Sequence, residues 1–337
     1  MVVYFDKENY ISYLKNTGKS DIAKDTLRMI KNQLDVHLNF KLEDLDEYEF
    51  ILHEEFEEGV AIEFKITKDI DKITRPLDKD SFPFKDGIYL LNDDVNINKI
   101  KSLHTVLIGS LNEEIETLEK LIINRDYSFH SEKIIGTDIT PQKHLNILDL
   151  PFSTLVVVDR YIFKGPEVGG NLGLYEYNLD KMLKDMFSNK RGISKLIFVY
   201  QINVKEPRTS PRYDEGPDIE KLSAKIKKVV NKYCPAPAVL FIGVPAGYID
   251  DEHDRYILSN YLRIKSGDCT VYFNSVGEIK TASQSADYYS LAYRQYRLFN
   301  TKLVTKINGI CNETLVNHQR FSKVPDGIDK NQIISFS

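Results

Sequence analysis

The sequence predicts an α/β protein, because short apolar runs alternate with helical stretches along its second half. The runs cover residues 155–158, 195–200 and 239–244, and helical stretches over 177–187 and 218–233 separate them. Strands that are apolar throughout are typical of a parallel sheet with helices on both faces. We therefore expect the three runs to be neighbouring strands of a mainly parallel sheet flanked by helices.

Size and charge predict two domains. The chain has 337 residues, of which 42% are hydrophobic and 28% charged, so it can bury a core. One domain takes roughly 100–200 residues. Residues 1–150 carry 19 basic and 30 acidic side chains, whereas residues 151–337 carry 26 and 20. We predict an acidic mixed α/β domain over 1–150, with a regulatory or partner-binding role, and a second domain over 151–337. The alternative is that the charge difference reflects two ordinary surfaces.

The first domain is predicted from shorter patterns. A strand over 2–5 precedes Asp6, which can cap a helix over 7–16, and a second helix is expected over 20–34. The strongly acidic segment 42–58 is interpreted as a solvated face or a loop, because no His or Cys stands at a ligand spacing there. Further predicted elements are strands over 60–66 and 106–108 and a helix over 113–123.

Three features complete the second domain. Asp159 follows the first apolar run, at the end of a strand where open α/β sheets bind ligands, although an ion pair or a turn explains it equally well. Residues 255–265 are expected to form one strand, bent or straight, and a final helix begins near Ala286. On that helix a core-facing stripe is predicted at Tyr289, Tyr293 and Tyr296.

Several classes of protein are excluded. No apolar run approaches the ~18 residues of a membrane span, and the first residues do not begin a signal peptide. Cysteines stand only at the distant positions 234, 269 and 311, which favours a cytoplasmic setting over a disulfide framework. The seven His residues form no zinc-protease pattern, and the glycine-rich segment 165–173 lacks the frame of a phosphate loop. We predict neither a metal nor a cofactor.

The segment 250–267 carries the most chemistry. On a strand, side chains two positions apart share a face, so His253 and Arg255 point the same way. An imidazole can attack or protonate a phosphodiester, and a guanidinium can hold two phosphate oxygens at once. The alternative is a His at a strand edge and an Arg paired with an acidic neighbour, of which the candidates are Asp250, Asp251, Glu252 and Asp254.

The same segment resembles the phospholipase D superfamily motif, H-x-K-x4-D-x6-G-S-x-N. The motif positions are occupied, in order, by His253, Arg255, Asn260, Gly267, Asp268 and Thr270. The segment is similar above all to the degenerate version in the phospholipase D-like domain of some MIT-domain proteins. The matching order of strands and helices extends from about 155 to 300, near the size of one superfamily unit.

The resemblance implies a phosphodiesterase. The cytoplasmic setting and the basic second half favour nucleic acid as its substrate, and small relatives of this kind serve as nucleases, including in bacterial antiviral defence. The family mechanism uses two His residues, so a chain with one motif implies a homodimer. The candidate catalytic residues are His253, Arg255 and Asn260, and the candidate substrate-binding residues are Asp159, Arg263, Lys265 and Gly267. Because the relatives in MIT-domain proteins are binding modules, the alternative is an inactive scaffold that binds a protein partner or an anionic ligand.

Overall fold

The structure is a computed structural model in which the chain forms two compact units. The first comprises Met1–Arg125 and Ser290–Arg297, and the second comprises Asp126–Tyr289 and Leu298–Phe336. The structure describes residues 1–16, 30–38, 40–58, 65–66, 87–90, 107–109, 126–130, 152–160, 162–163, 179–184, 193, 195–202, 218–234, 237–245, 255–266, 285–317 and 319–336. Both units contain strands and helices, so the predicted α/β class is confirmed.

The first unit is built on a parallel sheet. Its strands are β1 (Val2–Phe5), β2 (Asp35–Leu38), β3 (Lys65–Ile66), β4 (Gly87–Leu90) and β5 (Leu107–Gly109). They lie in the order β3-β2-β1-β4-β5, and each neighbouring pair is parallel. β1 lies where the first strand is predicted, and β3 and β5 overlap the other two predicted strands of this half.

Helix α1 (Lys7–Asn16) begins as the sequence predicts. The carboxylate of Asp6 accepts a hydrogen bond from the backbone N–H of Asn9 at 2.8 Å, which satisfies one of the donors that a helix N-terminus leaves open. Of the second predicted helix, residues 30–33 are described and are helical.

The acidic segment contains helix α2 (Glu47–Glu58). Its buried side turns towards α1, where the hydroxyl of Tyr10 and Nδ1 of His53 lie 2.7 Å apart. Exposed carboxylates such as Glu54 and Glu55 occupy the other side. The predicted solvated face is thus part of a helix, and the acidic composition did not reveal its buried side.

The second unit is built on a larger sheet. Its strands are β6 (Asp126–His130), β7 (Thr154–Val158), β8 (Lys195–Ile202), β9 (Ala238–Pro245), β10 (Arg255–Leu258), β11 (Leu262–Ser266) and β12 (Ser285–Ser290), in the order β6-β12-β11-β10-β7-β8-β9. β7, β8 and β9 are parallel neighbours, as the three apolar runs predict. β10 is antiparallel to both of its neighbours, so the whole sheet is mixed. Because β6 belongs to this sheet, the units divide at residue 125, ahead of the predicted division at 150.

The single strand expected over 255–265 is wrong: β10 and β11 form an antiparallel hairpin. Ser259 reverses the chain. Its hydroxyl accepts a hydrogen bond from the backbone N–H of Leu262 at 2.9 Å, and its own backbone N–H donates to the carbonyl of Leu262 at 2.9 Å. A serine whose side chain bonds the backbone of a residue further along the turn can replace the glycine or proline of a more conspicuous turn.

The helix expected from Ala286 is also wrong at its start. Residues up to Ser290 form β12, which pairs with β6, and helix α4 (Arg294–Asn317) begins four residues later. Tyr289 therefore stands on a strand, and the proposed helical stripe with Tyr293 and Tyr296 does not exist. The pairing partner lies far away in the sequence, so local spacing did not indicate it.

Helix α3 (Ile219–Tyr233) connects β8 to β9 and matches the predicted helix. The carboxylate of Asp218 caps it by accepting hydrogen bonds from the backbone N–H groups of Glu220 and Lys221 at 3.1 and 3.2 Å. Its buried side is formed by Leu222, Ser223, Ile226, Val229 and Val230.

Helix α4 and the segment after it complete the core of the second unit. Ile307 and Cys311 of α4 join Ile333 and Ile334 in one cluster with buried side chains of β7, β8 and β9. Among the described helices, none has both the length and the apolar composition that crossing a membrane requires.

The C-terminal segment also closes β9, the last strand of the sheet. Phe241 and Lys323 exchange two backbone hydrogen bonds of 3.0 and 2.8 Å. A Cβ atom at Gly243 would lie 2.8 Å from the carbonyl oxygen of Phe321, so only glycine allows this close approach.

Candidate functional site

The end of β7 places a buried carboxylate at one edge of the second sheet. β7 is buried at every position, and its pairing with β8 continues one residue further, since the N–H of Asp159 donates to the carbonyl of Val199 at 3.0 Å. The Asp159 side chain has no exposed surface. Burying a carboxylate is costly unless a cation or a donor accompanies it.

Arg255 is that cation. β10 pairs with β7 so that Tyr256 stands opposite Val158, which brings Arg255 to the level of Asp159. Nε of Arg255 lies 3.2 Å from Oδ1 of Asp159, and 8% of the Arg255 side chain is exposed. The sequence allows an ion pair for each residue separately, and the structure pairs the two with each other.

Other chain segments end at the same edge. β11 returns beside β10 and places Ser266 opposite Arg255. Gly267 follows Ser266 directly and His253 precedes Arg255 by two positions, and both lie outside the described residues. Because β11 runs in the same direction as β7, this edge is the carboxyl end of both strands, where open α/β sheets bind ligands.

Asn260 lies at the opposite edge. Its side-chain oxygen accepts a hydrogen bond of 3.2 Å from the backbone N–H of Ser153, the residue before β7. β10 rises about 3.3 Å per residue, so Arg255 and the turn at Asn260 are separated by at least about 10 Å. The structure therefore does not bring these two motif positions together, and the described contact of Asn260 stabilises the hairpin.

Arg263 and Lys265 share one face of β11. The guanidinium carbon of Arg263 lies 4.2 Å from the ring centroids of both Tyr289 and Phe299, so the side chain is enclosed between β12 and α4. Lys265 is half-buried opposite Tyr256. Sequence reasoning missed the two aromatic partners of Arg263, because Tyr289 was assigned to a helix.

The Asp159–Arg255 pair combines one negative and one positive charge. Its two opposite charges attract an external anion less than a lone guanidinium would, because their fields largely cancel at a distance. In the described part of the chain, no group of three or more His, Cys, Asp or Glu residues is arranged to hold a metal ion.

A comparison with models of known protein families gives no match for this chain, and a search of curated proteins gives none either. The fold and contacts define an α/β protein with two sheet-based units and a buried ion pair at the carboxyl edge of the second sheet.

Proposed function

We propose that the second unit is a phospholipase D-like phosphodiesterase that hydrolyses nucleic acid, with His253 as the nucleophile. The observation that carries the proposal is the Asp159–Arg255 pair at the carboxyl edge of the sheet. The pair fixes the start of β10, and His253 stands two positions before Arg255 in the chain. Arg255 is then a positioning residue for His253.

The chemistry of this proposal has two steps. An imidazole nitrogen of His253 attacks phosphorus, a P–N bond forms, and the bond from phosphorus to the leaving oxygen breaks. A second His donates a proton to that oxygen. Water then gives a proton back to the second His and attacks phosphorus, so that a P–O bond forms and the P–N bond to His253 breaks. The second His253 comes from another copy of the chain, so the proposal includes a homodimer.

A second candidate function is a catalytically inactive phospholipase D-like module that binds a protein partner or an anionic ligand. Two observations favour it. Arg255 is almost fully buried against Asp159, and the oxygen of Asn260 accepts the bond from Ser153 at the far edge. Neither contact presents a motif side chain to a substrate.

The test is hydrolysis of single- and double-stranded DNA and of bis(p-nitrophenyl) phosphate by the parent chain and by His253→Ala. We expect His253→Ala to abolish hydrolysis and to retain the parent's circular dichroism spectrum. We expect Arg255→Lys to reduce kcat and to retain that spectrum as well. Light scattering should give the mass of a dimer.

The outcomes separate the two candidates. If His253→Ala cleaves like the parent, catalysis by His253 is refuted. If the parent never cleaves but binds a protein partner or an anionic ligand, the inactive module is the correct function. A monomer that cleaves would refute the dimeric mechanism.

A further inference from the structure

Helix α3 carries a stripe of lysines on its surface. Positions i, i+4, i+7 and i+11 of the helix are Lys221, Lys225, Lys228 and Lys232, and we refer to these four as the lysine stripe. At 3.6 residues per turn they lie on one side of the helix, about 5.4 Å apart along its axis. Lys225 is half-buried and the other three are exposed.

The charges of the stripe are only partly compensated. At its ends, Lys232 contacts Asp180 at 2.8 Å and Lys221 contacts Asp218 at 3.5 Å. Lys225 and Lys228 form no ion pair with any residue that the structure describes. Like charges one helical turn apart repel each other, so the middle of the stripe favours an external anion.

The composition of the exposed side of α3 indicates which kind of anionic partner this side binds. The apolar side chains of α3 are buried in the protein, so the helix has no apolar face to insert into a membrane. The centres of protein interfaces are depleted in lysine and enriched in aromatic residues. Regularly spaced lysines on a polar face are instead typical of contacts to the phosphates of a nucleic acid.

The stripe leads towards the carboxyl edge of the sheet. At the start of α3, Glu220 forms an ion pair with Lys323, whose backbone pairs with Phe241 in the middle of β9. At the end of α3, the thiol of Cys234 contacts the carbonyl of Ile193, which precedes β8. The helix therefore runs antiparallel to β8 and β9, with Lys221 at the end nearer Asp159 and Arg255.

We propose that the lysine stripe binds the sugar–phosphate backbone of nucleic acid. Its role in leading a strand to the Asp159–Arg255 edge rests on the proposed function, whereas the binding itself does not require catalysis. Because phosphate contacts are independent of base sequence, the stripe supplies affinity without sequence preference.

The test is fluorescence anisotropy of labelled duplex DNA of mixed sequence, titrated with protein over a series of NaCl concentrations. The stripe variant carries Lys221→Gln, Lys225→Gln and Lys228→Gln. We expect the slope of the logarithm of the association constant against the logarithm of the salt concentration to be smaller in magnitude by roughly two to three in this variant, since each lost phosphate contact removes about 0.9 from that slope. The matched control removes three exposed lysines elsewhere, Lys302→Gln/Lys306→Gln/Lys330→Gln, and should keep the parent's slope.

The proposal is overturned if the stripe variant and the control have equal slopes, or if the parent binds phosphatidylserine vesicles and not DNA. The single variant Lys228→Glu provides a second reading should the triple variant fold poorly, and it should weaken binding more than Lys302→Glu. Cleavage is measured separately. If the stripe variant loses binding and His253→Ala still cleaves like the parent, catalysis by His253 is refuted and the stripe is retained. If the stripe variant keeps the parent's slope and His253→Ala no longer cleaves, the stripe alone is refuted.

Discussion

The two ends of hairpin β10–β11 use their polar residues differently. At the turn, Ser259 and Asn260 bond backbone groups and thereby hold the chain reversal and the start of β7. At the open end, Arg255 and Asp159 bury two charges that contribute little net stability compared with an apolar pair of similar volume. Folding alone accounts for the polar residues of the turn, whereas it does not account for the buried pair at the open end, where we propose the functional site.

The comparison is tested most strongly by Asp159→Asn. This change removes the buried Asp159 charge from beside the guanidinium of Arg255, and we expect the free energy of unfolding to fall by about 3–5 kcal/mol. The measurement is urea denaturation followed by circular dichroism. Asp180→Asn, which removes the half-buried partner of the exposed Lys232, is the control and should cost about 1 kcal/mol. Equal losses of unfolding free energy in the two variants would show that burial does not make the Asp159–Arg255 pair more costly to disrupt.

Asn260→Ala tests the other end of the hairpin. Removing the side-chain oxygen leaves the N–H of Ser153 without this acceptor, so the free energy of unfolding should fall by about 1–3 kcal/mol. Catalysis or ligand binding at the open end should not change once the variant is folded. Loss of activity in a variant of parental stability would contradict the separation of the two ends.

A third prediction concerns the core of the second unit, where Leu258 of β10 and Cys311 of α4 belong to one cluster. Burial raises the pKa of the Cys311 thiol to about 12 from its ordinary value near 9. The unfolded chain releases this proton at a lower pH than the folded chain does. The contribution of the thiol to the free energy of unfolding is therefore complete below pH 9 and is lost as the pH rises towards 12. In this window the free energy of unfolding of the parent falls as the pH rises. We expect this fall to be less steep in Cys311→Ala, by about 1.4 kcal/mol per pH unit. An unchanged slope would show that the thiol does not contribute.

The smallest expected effect concerns the cation–π contact of Arg263 with Phe299. A double-mutant cycle of Arg263→Lys and Phe299→Leu should give a coupling energy of about 0.5–1 kcal/mol, because lysine keeps the charge and loses the planar stacking. Denaturation of the four proteins measures it. A coupling energy near zero would mean that the two side chains are merely adjacent.

The sequence predicted the parts of the fold that local patterns encode. β7, β8 and β9 are mostly apolar, and the caps Asp6 and Asp218 stand directly before their helices, so each element was recognisable by itself. The hairpin turn was missed because Ser259 takes the place of a glycine or proline. β12 was read as helix because only its distant partner β6 shows that it is a strand.

The sequence predicted which residues are candidates for the site, and it did not predict how they are arranged. Asp159 and Arg255 were each singled out, but their contact depends on the register between β7 and β10, which no local spacing encodes. The motif spacing grouped Arg255 with Asn260, and the hairpin separates them. A resemblance based on spacing therefore identifies candidates, and strand register decides which of them meet.

The bonds between Phe241 and Lys323 have a consequence for solubility. β9 is the last strand of its sheet, and an uncovered last strand offers free N–H and C=O groups on which another chain can add a strand of its own. The segment around Lys323 occupies part of this edge, and Gly243 allows Phe321 to approach closely beside it. The C-terminal segment thus protects the protein against intermolecular strand pairing, and a chain that ended before it would present a template for aggregation.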